Sequence, residues 1–336
     1  MSQQGSPDTD VRATDVRDTD VRDTDTRPIA VSVGADDGGE VDLAGAQAAA
    51  LASLLAVLDL QPDPDGGDDV FVGQSQPQPW GRVFGGQVLA QSIAAAQRTV
   101  DPARPIHSMH GYFLRAGDPK FPITFAVERL RDGRSFSARR THALQHGRPI
   151  LSMIASFQEP AEGLDHAEPM PGVPGPDTLP TIAQRYAASQ GGAARYWFRQ
   201  RPMDLRHVEE PVFLQAPSEA TSTQHVWMKA VGALPDDPRL HAAVLAYASD
   251  YGMLEPVLRR HGQAWASPGM RAASLDHAMW FHRPARTDEW LLNAQTSPSA
   301  QGARGLGVAK IYTQTGSLVA TVAQEGMLRF PTSALE

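Results

Sequence analysis

Residues 106–158 read IHSMHGYFLRAGDPKFPITFAVERLRDGRSFSARRTHALQHGRPILSMIASFQ, and this stretch decides the fold. Its apolar and β-branched runs predict four strands, at Ile106–Leu114, Ile123–Arg131, Ser135–Gln145 and Ile150–Gln158. The dipeptides Asp132-Gly133 and His146-Gly147 are typical of tight hairpin turns. Strands joined in this way form an antiparallel meander, and its apolar face must be covered by another element.

The covering element is predicted to be a helix between Phe84 and about Arg98, which precedes these strands in the chain. It begins with Gly85 and Gly86, and glycine lowers helix stability. Glycines at this position therefore indicate that another part of the backbone passes close to the start of the helix. One helix packed against an antiparallel meander gives an α+β architecture.

The second half of the chain repeats this plan. A helix is predicted from about Arg239. Strands are predicted at Val212–Leu214, Gln224–Val231, Ala273–Arg283, Glu289–Thr296, Gly305–Thr313 and Ser317–Phe330. The same order of elements in both halves indicates an internal duplication.

The two halves also match residue by residue. Phe113-Leu114-Arg115 aligns with Phe281-His282-Arg283 at an offset of 168, Gln145-His146-Gly147 with Gln314-Thr315-Gly316 at 169, and Gln158 with Gln324 at 166. A nearly constant offset indicates two copies of one unit, a long helix against a curved antiparallel sheet. That unit is the hotdog fold, so the chain is predicted to be a double hotdog.

Composition divides the chain into four regions. Residues 1–40 hold ten acidic side chains and four arginines, with Asp-Val-Arg repeated at 10–12, 15–17 and 20–22. Low hydrophobicity and dense charge predict that this segment is a disordered acidic tail. The first hotdog domain is predicted at 45–160, a proline-rich linker at 161–202, and the second hotdog domain at 203–332.

Composition also disfavours several classes of function. Outside the tail, 26 basic and 28 acidic groups nearly cancel, so no overall field attracts nucleic acid or an anionic membrane. No apolar run of about 18 residues predicts a membrane span, and the expected location is the cytoplasm. With no cysteine, a disulfide, a thiolate metal site and a cysteine nucleophile are excluded. The histidines lack metal-ligand spacing, and a Gly-x-Ser-x-Gly nucleophile elbow is absent.

Several ordered motifs resemble those of the type II acyl-CoA thioesterases, over about residues 49–331. The first-half motifs are Val83-Phe-Gly-Gly-Gln87, His107-Ser108, Tyr112-Phe-Leu-Arg115, Gly117-Asp118 and Arg134-Ser-Phe-Ser-Ala138. The second-half motifs are Leu245-Ala-Tyr-Ala-Ser-Asp250, Leu275-Asp-His277, Trp280-Phe-His-Arg-Pro284 and Gln324-Glu-Gly326. The resemblance implies a double hotdog that hydrolyses fatty acyl-CoA to a fatty acid and CoA without metal or organic cofactor.

By the same resemblance the catalytic residues are Asp250, Ser274 and Gln324. Many bacterial relatives resemble this chain but have threonine at the place of Ser274, and serine keeps the hydroxyl. Asp250 lies within Leu245–Leu254, an otherwise apolar helix segment, where desolvation raises the pKa of a carboxyl group and makes it a better base. A hydroxyl and an amide can hold or polarise a water. We therefore expect direct water attack, with backbone N–H groups at a helix N-terminus stabilising the oxyanion.

A Ser274/His277/Asp276 triad is a second arrangement of the same region. Strand alternation predicts that Ser274 and Asp276 share one face while His277 points away, which makes this triad awkward. In the first half, Ser108 and Gln158 are counterparts of the site residues, but the first helix has no acid. The asymmetry predicts a single active centre, in the second half.

Two further classes of function remain open from the sequence. A double hotdog that binds acyl-CoA without turnover is one alternative, and the intact Asp/Ser/Gln set favours the enzyme over it. A dehydratase is the other, and it would require a helical histidine, for which His241 is the candidate. Exposed sheet edges favour association, so a homodimer or homotetramer is expected.

Overall fold

The computed structural model describes residues 43–78, 81–186 and 201–331. The predicted acidic tail, 1–40, lies outside these residues. The helices are α1 (Leu43–Leu58), α2 (Gly85–Gln97), α3 (Ile182–Arg185), α4 (Pro238–Ser249) and α5 (Glu255–Arg260), with a 3₁₀ turn at Pro176–Thr178. α2 and α4 are the helices that the sequence predicts in the two halves.

Thirteen strands form one antiparallel sheet in the described part of the chain. The first-half strands are β1 (Gln61–Pro62), β2 (Val70–Gly73), β3 (Ile106–Phe113), β4 (Ile123–Asp132), β5 (Phe136–Gln145) and β6 (Arg148–Gln158). The second-half strands are β7 (Met203–His207), β8 (Thr223–Ala230), β9 (Arg271–Ser274), β10 (Asp276–Phe281), β11 (Leu291–Gln301), β12 (Arg304–Thr313) and β13 (Leu318–Arg329).

The strand order displays the duplication. The first half runs β2-β4-β5-β6-β3 and the second runs β10-β13-β12-β11-β8, so the second half repeats the first in reverse across the sheet. The halves join where β3 pairs with β10, with Met109 opposite Met279. The predicted α+β double hotdog is confirmed in this arrangement: two units, each a helix on a curved sheet, share one continuous sheet.

Helices α2 and α4 lie antiparallel on the same side of that sheet. At one end the Gln97 amide donates to the Arg239 carbonyl over 3.3 Å, which joins the end of α2 to the start of α4. At the other end the Gly86 N–H, in the first turn of α2, donates to Asp250, which caps the end of α4. Apolar side chains of both helices are buried in one core with the sheet, which gives the pair its stability.

The hydrogen-bond register corrects one detail of the repeat. The pairing shifts after Ala143 in the β5–β6 hairpin and after Ile311 in the β12–β13 hairpin, so these shifts are equivalent at an offset of 168. Counting from them, Gln324 corresponds to Ala155 rather than to Gln158. The sequence match at an offset of 166 was wrong, because it aligned two glutamines that are three residues out of register in the paired strands.

Two strand predictions were also wrong. Val212–Leu214 is not a strand, and the outer strand that pairs with β8 is β7 instead. Val212 and Phe213 are fully buried in loop conformation, where their apolar character serves packing and not pairing. The predicted strand Ala273–Arg283 is broken at Leu275, whose N–H donates to the Glu325 carbonyl while its own carbonyl accepts from Phe113.

Helices of the described ranges include none with the length and apolar character that crossing a bilayer requires.

Candidate active site

A cleft of about 280 Å³ opens where the end of α4 meets the start of α2. It contains all three residues that the sequence predicts to be catalytic, Asp250, Ser274 and Gln324. Asp250 caps α4, Ser274 ends β9, and Gln324 lies in β13. Residues 74 positions apart in the chain are brought together because β9 pairs with β13 beside the end of α4.

The Asp250 carboxylate is held against the start of α2. Its Oδ2 accepts a hydrogen bond from the Gly86 N–H over 2.8 Å. The other oxygen, Oδ1, is buried, and no donor in the described ranges meets it with hydrogen-bonding geometry. Burial raises the pKa of Asp250 to about 7, although the Gln324 amide and the Gly86 N–H each act to lower it. A carboxylate of this pKa, with one oxygen unengaged, is suited to take a proton from water near neutral pH.

Gly85 and Gly86 permit this approach, as their place at the helix start predicts. A Cβ on Gly85 would lie 2.8 Å from Asp250 Oδ2 and 3.0 Å from the Phe113 ring. A Cβ on Gly86 would overlap the Tyr247 carbonyl oxygen. Both glycines are therefore required by close contact between the ends of α2 and α4, and not by turn geometry.

Gln324 is the centre of a buried hydrogen-bond network. Its Nε2 donates to Ser274 Oγ over 2.8 Å, and its Oε1 lies 2.6 Å from His277 Nδ1. On the other side of the imidazole, His277 Nε2 lies 2.9 Å from Ser249 Oγ. Burial lowers the pKa of His277 to about 4, so the imidazole is neutral at physiological pH.

The strand-alternation argument for His277 was wrong. Ser274 and His277 both contact Gln324, because the break at Leu275 resets the alternation between them. The Asp276 carboxylate accepts from the Glu325 N–H over 2.7 Å. No hydrogen bond joins Ser274 to His277 or His277 to Asp276 in the described structure, and the alternative triad is not assembled.

The sequence reasoning missed Ser249 and His277 as members of this network. Both stand in the quoted motifs, directly before Asp250 and directly after Asp276. Their burial is complete, and a buried polar side chain needs a partner. For His277, burial could be predicted only once the strand break at Leu275 was known.

His241, the helical candidate for a dehydratase base, is away from the cleft. Its Nδ1 accepts from the Thr287 N–H over 3.1 Å and contacts the Thr287 hydroxyl. It does not line the cleft that contains Asp250. The described residues contain no group of three or more His, Cys, Asp or Glu side chains placed to hold a metal ion.

Two family models match the two halves of the chain. The model described as acyl-CoA thioesterase matches residues 202–327, and the model described as acyl-CoA thioesterase N-terminal domain matches residues 76–158. The chain is 38% identical over 270 residues to acyl-CoA thioesterase 2 of Haemophilus influenzae, an alignment that covers 78% of this chain and 93% of that protein. The chain belongs to the acyl-CoA thioesterase family.

Further relatives agree with this assignment. Human acyl-coenzyme A thioesterase 8 is 38% identical over 292 residues, which cover 82% of this chain and 88% of that protein. The crystal structure of an acyl-CoA thioesterase II from Mycobacterium marinum is 42% identical, with a TM-score of 0.66 and coverage of 83% and 99%. A hot dog protein from Alicyclobacillus acidocaldarius, at 19% identity and the same TM-score and coverage, shares the fold.

Proposed function

We propose that this thioesterase-family chain hydrolyses acyl-CoA to a fatty acid and CoA by direct attack of a water held by Asp250, Ser274 and Gln324. The observation that carries the proposal is the assembly of these three side chains in one cleft, with the Asp250 carboxylate oxygen Oδ1 unengaged. The family membership supplies the substrate class. The assembled acid, hydroxyl and amide favour turnover over acyl-CoA binding alone.

In this mechanism the Asp250 carboxylate takes a proton as the water oxygen bonds to the thioester carbonyl carbon. The tetrahedral intermediate collapses with cleavage of the carbon–sulfur bond, and the thiolate leaves with its electron pair. Protonation by Asp250 or solvent then gives the thiol of CoA. A thiol has an ordinary pKa of about 8.5, so its departure needs no strong acid. No acyl-enzyme forms, because water is the nucleophile.

The first turn of α2 supplies the oxyanion donor in this proposal. Gly86 N–H is engaged by Asp250, while Gly85, the first residue of α2, lines the cleft, and its N–H donates to no acceptor among the described residues. A free N–H at a helix N-terminus, with the helix dipole behind it, stabilises developing negative charge. Arg82 and Arg201 line the same cleft and give the local positive charge that an anionic CoA ester requires.

The test is release of free thiol from palmitoyl-CoA by the wild-type chain and by Asp250→Asn. Loss of the general base is expected to lower kcat by about 10²- to 10⁴-fold. The control is Asp177→Asn, because Asp177 is exposed and outside the cleft. Equal rates for Asp250→Asn and wild type would refute the mechanism. Acyl-CoA binding by the wild type, with no thiol release at any chain length, would support the binding module instead.

The pH dependence gives an independent check. Asp250 acts as a base only when ionised, and its pKa is raised to about 7 by burial. We expect kcat to rise tenfold per pH unit below about 7 and to level off above it. A flat profile between pH 5 and 9 in steady-state assays would contradict the role of Asp250 as the base.

We further propose that the two hotdog domains occupy 45–160 and 203–332, with the linker at 161–202 between them. The family-model matches at 76–158 and 202–327 support these limits. A cytoplasmic location and assembly as a homodimer or homotetramer are proposed on the absence of cysteine and on the outer edges at β1 and β7. Light scattering of the purified chain measures its oligomeric state.

A further inference from the structure

Four side chains beneath the cleft form one continuous hydrogen-bonded series. It runs from Ser249 to His277 over 2.9 Å, from His277 to Gln324 over 2.6 Å, and from Gln324 to Ser274 over 2.8 Å. His277 and Ser249 are completely buried, and Gln324 is 2% exposed. Neither Ser249 nor His277 is part of the proposed catalytic set, so the series extends that set into the core.

The series can run in two directions. A neutral imidazole carries one N–H, so one ring nitrogen donates and the other accepts. In the first direction the Ser249 hydroxyl shares its hydrogen between His277 Nε2 and the Ala246 carbonyl, each 2.9 Å away. Nδ1–H then donates to Gln324 Oε1, and the Gln324 amide donates to Ser274. In the second direction every donor and acceptor is exchanged, and the Gln324 amide is turned over. Ser249 then donates to the Ala246 carbonyl alone.

Asp250 distinguishes the two directions. In the first, the NH₂ group of Gln324 faces Ser274 and the carboxylate, where it stabilises negative charge. The structure has this orientation, with Gln324 Nε2 2.8 Å from Ser274 Oγ and Gln324 Oε1 2.6 Å from His277 Nδ1. The pKa of Asp250 agrees with it, because the Gln324 amide acts to lower that pKa against the effect of burial. In the second, the Gln324 carbonyl oxygen would face the carboxylate, and two acceptors at close range repel. The ionised carboxylate therefore favours the first direction.

We propose that His277 is a positioning residue for thioester hydrolysis, fixing the Gln324 amide so that its NH₂ group faces Ser274 and Asp250. The proposal rests on the proposed function. Its consequence concerns Ser274: because Ser274 Oγ accepts from Gln324, its own hydrogen is left to donate to the attacking water. His277 thus acts through Gln324 on two of the groups that hold the water, without contacting the substrate.

The test compares three replacements of His277. Asn places an amide nitrogen two bonds from Cβ, as imidazole Nδ1 is, so His277→Asn can still donate to Gln324. His277→Gln reaches towards Ser249 instead and lacks the donor at Nδ1. His277→Leu fills similar space and removes both hydrogen bonds. Thermal unfolding of each variant establishes that it is folded before its kinetics are measured.

We expect His277→Leu and His277→Gln to lower kcat for palmitoyl-CoA by about tenfold, with KM changed by less than about twofold. Without the fixed amide, the pH midpoint of kcat is expected to rise by about one unit. His277→Asn is expected to stay within about threefold of wild type, with the midpoint unchanged. The other ionisable groups that line the cleft are Arg82, Arg201, Tyr251 and Glu255, and these substitutions leave all four in place.

Equal losses of kcat in all three folded variants, with the midpoint of the wild type, would overturn the proposal and leave His277 a packing residue. Wild-type kcat in His277→Leu would overturn it as well. Both outcomes are distinct from failure of the proposed function, which is seen in the wild-type chain and in Asp250→Asn. If Asp250→Asn is inactive while the His277 variants match wild type, only the positioning role fails.

Discussion

The ends of α2 and α4 occupy equivalent places in the two halves, and the chain uses them differently. α4 ends at Asp250, which turns inwards to the start of α2. α2 ends at Arg98, which turns outwards to Asp59 on the surface, over 3.2 Å. The same fold position thus carries a buried acid in one half and a surface base in the other.

The sheet beneath these two helix ends also differs between the halves. By register, Gly307 in β12 corresponds to Arg139 in β5. A Cβ on Gly307 would overlap the Met253 carbonyl, so the chain after Asp250 lies directly on the sheet. In the first half the Arg139 side chain, 1% exposed, fills that place and donates to Thr99 through Nε and Nη2. At this position the second half packs the chain after Asp250 against the sheet, whereas the first half fills the same space with a side chain.

In this comparison of halves, the largest effect on kcat is expected to distinguish Gln324 from Gln158. Gln324→Ala removes a donor that faces Ser274 and Asp250, and should lower kcat by about 10²- to 10³-fold. Gln158→Ala should leave kcat within about twofold, because Gln158 is away from the cleft. Thiol release from palmitoyl-CoA measures both. A comparable loss in Gln158→Ala would mean that the first half holds a second active centre and would break the comparison.

The extent to which the sequence predicts this site depends on the residue. Asp250, Ser274 and Gln324 were identified by motif, and the helix-start glycines by their cost to helix stability. The partner of Gln324 in the first half was misassigned, because strand register depends on bulges that composition does not encode. The position of His277 depended on the break at Leu275, which long-range pairing with Phe113 and Glu325 imposes. Local pattern specifies the elements, whereas non-local pairing decides which side chains meet.

The buried Arg139 side chain of the first half should govern stability and not catalysis. Arg139→Leu removes a buried guanidinium that also pairs with Asp132 at 2.7 Å, and leaves backbone carbonyls without donors. We expect the free energy of unfolding in urea to fall by about 3 kcal/mol. kcat per folded molecule should be unchanged.

The neighbouring residue is the matched control for this substitution. Arg140 pairs with Glu128 at 3.1 Å, but both side chains are largely accessible to solvent. Arg140→Leu is therefore expected to cost less than about 1 kcal/mol. Equal effects of the two substitutions on unfolding would show that the buried Arg139 side chain does not stabilise the first half.

A buried base should also cost the second half stability, in a pH-dependent way. The pKa of Asp250 in the folded chain is about 7, above its ordinary value of 3.8, because burial disfavours the charged form. The folded state is therefore destabilised progressively as pH rises from about 4 to 7. Asp250→Asn removes this cost. A pKa raised by about three units predicts that the variant is more stable than wild type by roughly 4 kcal/mol at pH 8 and equal to it near pH 4.

Asp288 gives the control of opposite sign. Burial acts to raise its pKa, but the Leu234 N–H and Arg286 outweigh burial and hold the pKa below the ordinary value. Asp288→Asn should therefore destabilise the chain at pH 8. The free energy of unfolding in denaturant, measured at each pH, checks both variants. If Asp250→Asn were destabilised at pH 8 as well, Asp250 would be a structural acid.

The smallest expected effect concerns the hydroxyl of Ser274, which the comparison of halves leaves as the most replaceable part of the site. Ser274→Ala leaves the Gln324 amide without its acceptor at 2.8 Å and removes a donor to the water, so kcat should fall about fivefold. Ser274→Thr keeps the hydroxyl and suits an extended strand, so kcat should stay within about twofold of wild type. If threonine were as slow as alanine, the cleft would require the size of serine and not its hydroxyl. If alanine were as fast as wild type, the water would be held by Asp250 and Gln324 alone.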